Sequence, residues 1–140
     1  MTVLITILAC GKDTLETRPT IKLKNVNADE IGPNSILQLF VEYSDKEGDL
    51  GQGQVTYVRN RTNIKPIPNP GANDKVDTVR YQLPAFSDKT TGEIQVNIPY
   101  NFLDEDPDDN DSMILRIVVQ DVQGNISDTI QTGRIVARQN

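Results

Sequence analysis

The sequence predicts an all-β fold, an antiparallel two-sheet sandwich of about seven strands. Three observations predict it. From Thr20 onward apolar residues recur with period two, turn residues interrupt them every ten to twenty positions, and no stretch carries helical spacing. The 140 residues fit one domain, large enough for a real core. With four Tyr, three Phe and no Trp, that core must be built mainly of Ile, Val and Leu.

The strands follow in order. In residues 20–27, TIKLKNVN, Ile21 and Leu23 share one face and Lys22 and Lys24 the other, as on an edge strand. In 35–43, SILQLFVEY, Leu37, Leu39, Val41 and Tyr43 align, which predicts a central strand. In 54–60, QVTYVRN, Val55 and Tyr57 turn inward. The loop KPIPNPGANDK comes next, and three prolines in its first six residues rule out ladder pairing there. Residues 76–83 and 93–99 form two further strands, the second alternating through Ile94, Val96 and Ile98. In 113–121 Leu115, Ile117 and Val119 face inward, and after the turn VQGN residues 126–137 close the fold. Seven strands without helix or repeat fit a sandwich of immunoglobulin-like class. With a single cysteine and no Trp, aliphatic packing has to replace the disulfide and Trp of antibody domains.

Composition narrows the function. Twenty Asp and Glu against fourteen Lys and Arg leave a net charge of −6, which repels phosphate backbones, so nucleic acid is not expected as a partner. The chain contains no histidine, which removes the commonest general base and any Ser-His or Cys-His nucleophile pair. Catalysis is not expected. A glycosidase needs two acids facing each other across a cleft, and acids gathered in hairpin loops offer none.

Two acidic loops stand out. In EYSDKEGDLGQG, Asp45, Glu47 and Asp49 occupy alternate positions among Gly48, Gly51 and Gly53. In a seven-strand sandwich this loop shares an end with Asp121 and with Asp88 of FSDKTTGE, and several loops bringing hard oxygen ligands together suit calcium. Zinc and iron prefer nitrogen and sulfur. Asp and Asn before glycine also make Asx-turns with no ion, so both a calcium loop and a plain turn stay open. The second loop, DEDPDDND, places Asp104, Asp106, Asp108 and Asn110 on alternate positions at the opposite end. Six acids in eight residues there require solvation or a cation, calcium again being one candidate.

Cys10 has no partner for an intrachain disulfide. It follows the apolar run VLITILA, too short to span a bilayer, and precedes residues 11–19, which are polar apart from Leu15 and the flanking Gly11 and Pro19. The residues ILAC resemble the lipobox of bacterial lipoproteins. That resemblance implies a signal over residues 1–10, a lipid-modified Cys10 and a polar tether over 11–19, with the sandwich over 20–138. Alternatively the run is a first strand with a buried thiol. The stretches YSDKEGDLG and VVQDVQGNIS resemble small Bacteroidota lipoproteins with an immunoglobulin-like or cadherin-like sandwich, and CGKD resembles their outer-membrane sorting signal. The triplets beginning at Asp13, Asp77, Asp111 and Asp128 resemble the Asp-Ser/Thr-apolar acceptors glycosylated in that phylum. What these resemblances imply is a binding or scaffolding module anchored by lipid to the outer membrane, on its periplasmic or cell-surface side, and contacting another envelope protein. The alternatives are a structural subunit of an outer-membrane complex and, more remotely, a carbohydrate-active protein.

Overall fold

The computed structural model describes residues 17–69, 77–86 and 90–140. Two sheets form the sandwich. One contains β1 (Thr20–Val26), β3 (Ile36–Ser44) and β6 (Thr91–Pro99), with β3 in the centre. The other runs β2 (Glu30–Ile31), β9 (Ile135–Ala137), β7 (Asp111–Gln120), β4 (Gln54–Arg61) and β5 (Thr78–Gln82), and β8 (Ile130–Gln131) also pairs with β7. All pairings are antiparallel except β2 with β9. The first, second and fifth long strands oppose the third, fourth, sixth and closing strands, which is an immunoglobulin-like order.

The predicted inward residues form the core. Leu37, Leu39, Val41 and Tyr43 of β3 pack with Ile94, Val96 and Ile98 of β6, and Val55, Tyr57, Leu115, Ile117 and Val119 oppose them. Alternation fixes which residues go inside, because a one-residue slip would turn every one of these side chains to solvent. In β1 the register shifts between Leu23 and Asn25, so that Val26 rather than Asn25 packs on the core beside Ile21 and Leu23.

The described residues contain nine strands rather than seven. The expected closing strand is broken, and side-chain hydroxyls take over the ladder where it breaks. Thr132 Oγ1 accepts the N–H of Leu115 at 3.1 Å, and Ser127 Oγ accepts that of Val119 at 3.1 Å. The two-residue β2 is too short for periodicity to reveal. It buries Ile31 against β9. A single helical turn, α1 (Tyr100–Leu103), follows Pro99 and buries Tyr100 and Leu103. The C-terminal end of the predicted tether is docked: Arg18 donates through Nε to the Ile126 carbonyl at 2.8 Å and through Nη2 to Asp128 at 3.0 Å. The remainder of the tether, residues 1–10 and Cys10 lie outside the described residues. Ser112, in one of the glycosylation-like triplets, is buried and bonded to Thr62 and Arg134, which leaves it poorly placed as an acceptor.

Candidate metal centre

Asp45 is the first residue after β3 and Asp121 the first after β7, so each stands at the same end of a different sheet. The loop between them is tightly built. The Asp45 N–H donates to the Thr90 carbonyl at 2.7 Å, and the Asp45 carbonyl accepts the N–H of Gly48, whose φ of 68° closes the turn. Leu50, fully buried, pins the loop into the core. At Gly53 a Cβ would meet the Gln120 carbonyl oxygen at 2.2 Å, so only glycine lets the loop lie against the end of β7. That approach brings Asp49 to Asp121, and the Asp49 carbonyl accepts the Val122 N–H at 3.3 Å.

Carboxylate oxygens of Asp45, Asp49 and Asp121 thereby lie within 4.8 Å of one another, and among the described residues this is the one group of three or more potential ligands so placed. Asp45 is 1% exposed and Asp121 3%. Asp121 is held by its own turn: Oδ1 accepts the N–H groups of Gln123 and Asn125 at 2.9 and 2.8 Å, and Oδ2 accepts Asn125 Nδ2 at 2.8 Å. Asp45 Oδ2 accepts the Asp49 N–H at 3.1 Å. Asp45 Oδ1 and both Asp49 carboxylate oxygens are buried without any protein partner. Burial pushes the Asp45 carboxyl up to about 6, and the neighbouring Asp49 carboxylate adds to the rise. Buried, mutually repelling carboxylates with unpaired oxygens are a costly arrangement in the absence of a cation.

The donor set fits calcium. Oxygens around one calcium ion at about 2.3 to 2.6 Å can be at most about 5 Å apart, which the trio satisfies. No histidine exists in the chain to favour zinc or iron. Glu47 does not join the group, because the turn breaks period two there and leaves it exposed at the tip. Asp88 falls outside the described residues.

The second acidic loop is organised around arginine. Asp111 Oδ2 accepts the N–H groups of Glu105 and Asp106 at 2.5 and 2.7 Å, and Oδ1 pairs with Arg61 Nε at 2.7 Å. Asp106 Oδ1 accepts the Asp108 N–H, and Asp106 Oδ2 lies 3.7 Å from Arg61 Nη2. Asp104 accepts from Gln139 Nε2, Asn110 accepts from the Gln139 N–H, and Asp109 pairs with Lys65. Arg59, 2% exposed, bonds Asp77 and Glu105 at 2.8 and 3.0 Å, donates to the Phe102 carbonyl and stacks over the Phe102 ring at 4.9 Å. Arg59, Arg61 and Lys65 thus bring three cations to the six acids of this loop, while Asp106 Oδ2 stays buried without a hydrogen-bond partner. A signal was present in the sequence, since Arg59 continues the inward register of Val55 and Tyr57.

No family model matches the chain, and no curated protein does. Among solved structures it is similar to a cohesin module from a Clostridium perfringens family 33 glycoside hydrolase, at 13% identity and TM-score 0.40, covering 88% of this chain and 97% of that one. It is also similar to the soluble domain of PmoD from a Methylocystis species, at 16% identity and TM-score 0.31, covering 85% and 88%. A PapD-like domain of human CEP192 matches at 12% identity and TM-score 0.30, covering 100% and 96%. The sandwich itself is defined by this chain's own strand order and register.

Proposed function

We propose that the chain is a non-catalytic binding module whose sandwich is closed at one end by a calcium ion, and which Cys10 anchors through lipid to the outer membrane, where it contacts another envelope protein. The observation that carries the calcium assignment is the buried, unpartnered oxygens of Asp45 and Asp49 converging on Asp121. An ion there joins the end of β3 in one sheet to the end of β7 in the other, fixing the loop that lies between them. The burial of Asp45 and Asp121 and the convergence of the three carboxylates to the span of a single ion support binding of a cation rather than chemistry on a substrate. The anchor is supported by the apolar run and lipobox-like ILAC alone.

Calorimetric titration of chelator-treated protein tests the ion. The expected result is one calcium per chain, bound more tightly than magnesium, with at least a tenfold loss of affinity in Asp49→Asn. Failure to take up calcium at millimolar concentration removes the ion from the proposal. The anchor has its own test: radiolabelled palmitate should enter the wild-type chain in a bacterial host and fail to enter Cys10→Ala, and equal labelling of both would refute lipidation at Cys10.

A further inference from the structure

The outward face of β4, β5 and β7 differs from the rest of the molecule. In a chain of net charge −6, none of the outward positions of these three strands carries a carboxylate or a lysine. Two arginines stand on it instead. Arg80 of β5 lies opposite Thr56 of β4, and Arg116 of β7 lies opposite Val58. Other described arginines are engaged: Arg18 with Asp128, Arg59 with Asp77 and Glu105, Arg61 with Asp111, Arg138 with Glu30, and Arg134 with the Ser112 hydroxyl. Arg80 and Arg116 are exposed and have no such partner among the described residues.

Between and beside the two arginines the surface combines aliphatic side chains with neutral polar ones such as Thr56. Val58 and Val118 line one shallow hollow of about 410 Å³ beside Arg116, and Val118 and Ile126 line a neighbouring one of about 450 Å³ beside Arg80. Ile126 is 48% exposed. Guanidinium groups match carboxylates in a bidentate fork, and arginine without lysine beside apolar residues is the composition of a protein contact surface. With strands of eight, five and ten residues, strand and residue spacings give this face roughly 370 Å². A standard complex buries about 800 Å² on each partner, so the face suits a short segment better than a second globular copy.

We infer that this face docks an acidic, partly apolar extended segment of a partner protein, its carboxylates taken by Arg80 and Arg116 and its aliphatic side chains by the Val58 and Val118 hollows. The inference rests on the protein-contact half of the function proposed above and is independent of the ion. From the register, the two arginine backbones are about 12 Å apart, which two carboxylates four residues apart on an extended chain can span.

The test is amide NMR of the full chain, titrated separately with four probes. These are a synthetic peptide of about a dozen residues with two glutamates four residues apart around valines, its glutamine counterpart, a sulfated oligosaccharide, and phosphatidylglycerol vesicles. The glutamate peptide is expected to shift Thr56, Val58, Arg116 and Val118, with affinity falling at least tenfold in the glutamine peptide, in Arg80→Gln/Arg116→Gln and at high salt. Equal response to both peptides, shifts confined to another face, or tighter response of this face to the oligosaccharide or the vesicles would overturn it. Recording the calcium-dependent unfolding midpoint in the same samples separates the two ideas. Loss of the peptide response with an intact calcium response refutes this docking face alone.

Discussion

Millimolar calcium added to the metal-free protein is expected to raise its thermal midpoint by roughly 10 °C, and Asp45→Asn to abolish that response while raising the midpoint of the metal-free protein. The size follows from linkage: an ion present at about a hundred times its dissociation constant stabilises the folded state by about 2.7 kcal/mol, which in a domain of this size corresponds to roughly 10 °C. The opposite signs follow from the geometry. Asp45 is buried with Oδ1 unpartnered beside the unpartnered Asp49 carboxylate. An asparagine keeps an oxygen for the Asp49 N–H, removes one buried charge, and can donate to Asp49. Simple loss of packing would lower both midpoints instead, and that result would sink the ion assignment.

The pH dependence carries the same signature. Burial, together with the Asp49 carboxylate beside it, raises the Asp45 carboxyl from its ordinary value of 3.8 to about 6 in the folded chain. The folded state therefore holds more protons than the unfolded one between those values, and this group's contribution to metal-free stability is full below about 4 and lost as pH rises through about 6. Calcium requires the ionised form, so its stabilising effect must fade over the same window as pH falls. Midpoints with and without calcium should converge near pH 4 and separate above pH 6.

The other large effect lies at the opposite end of the sandwich. Arg59→Met should destabilise the fold by roughly 3–5 kcal/mol, because it leaves Glu105 buried without its cation. Burial already raises the Glu105 carboxyl, with Arg59 holding it down. Asp77 is exposed on its other side and returns to water at little cost. Adding Glu105→Gln to Arg59→Met should recover much of the loss, since an apolar and neutral replacement of a buried pair is tolerated far better than half of one. Urea denaturation of the two single variants and the double variant measures this directly. Additive losses would show that Arg59 acts through packing on Phe102 rather than through charge.

Period-two patterning by itself determined the all-β class, the inward residues of β3, β4, β6 and β7 and the division of loops between the two ends, because alternation in an antiparallel strand is a local property that a buried face enforces. It was enough to group Asp45, Asp49 and Asp121 as candidates on one end. Only the tertiary structure decided which of the candidates meet. Glu47 and Asp49 are equivalent in the spacing of SDKEGD, yet the turn at Gly48 sends one to solvent and buries the other against Asp121. That choice depends on Gly53 lying on the Gln120 carbonyl, a contact between residues far apart in the chain. The acids of residues 104–111 look in sequence like the denser cation site, but Arg59 and Arg61 reach them from β4. Charge neutralisation acts through space over a few ångströms, and sequence proximity records only the acids, not the arginines that the fold delivers to them.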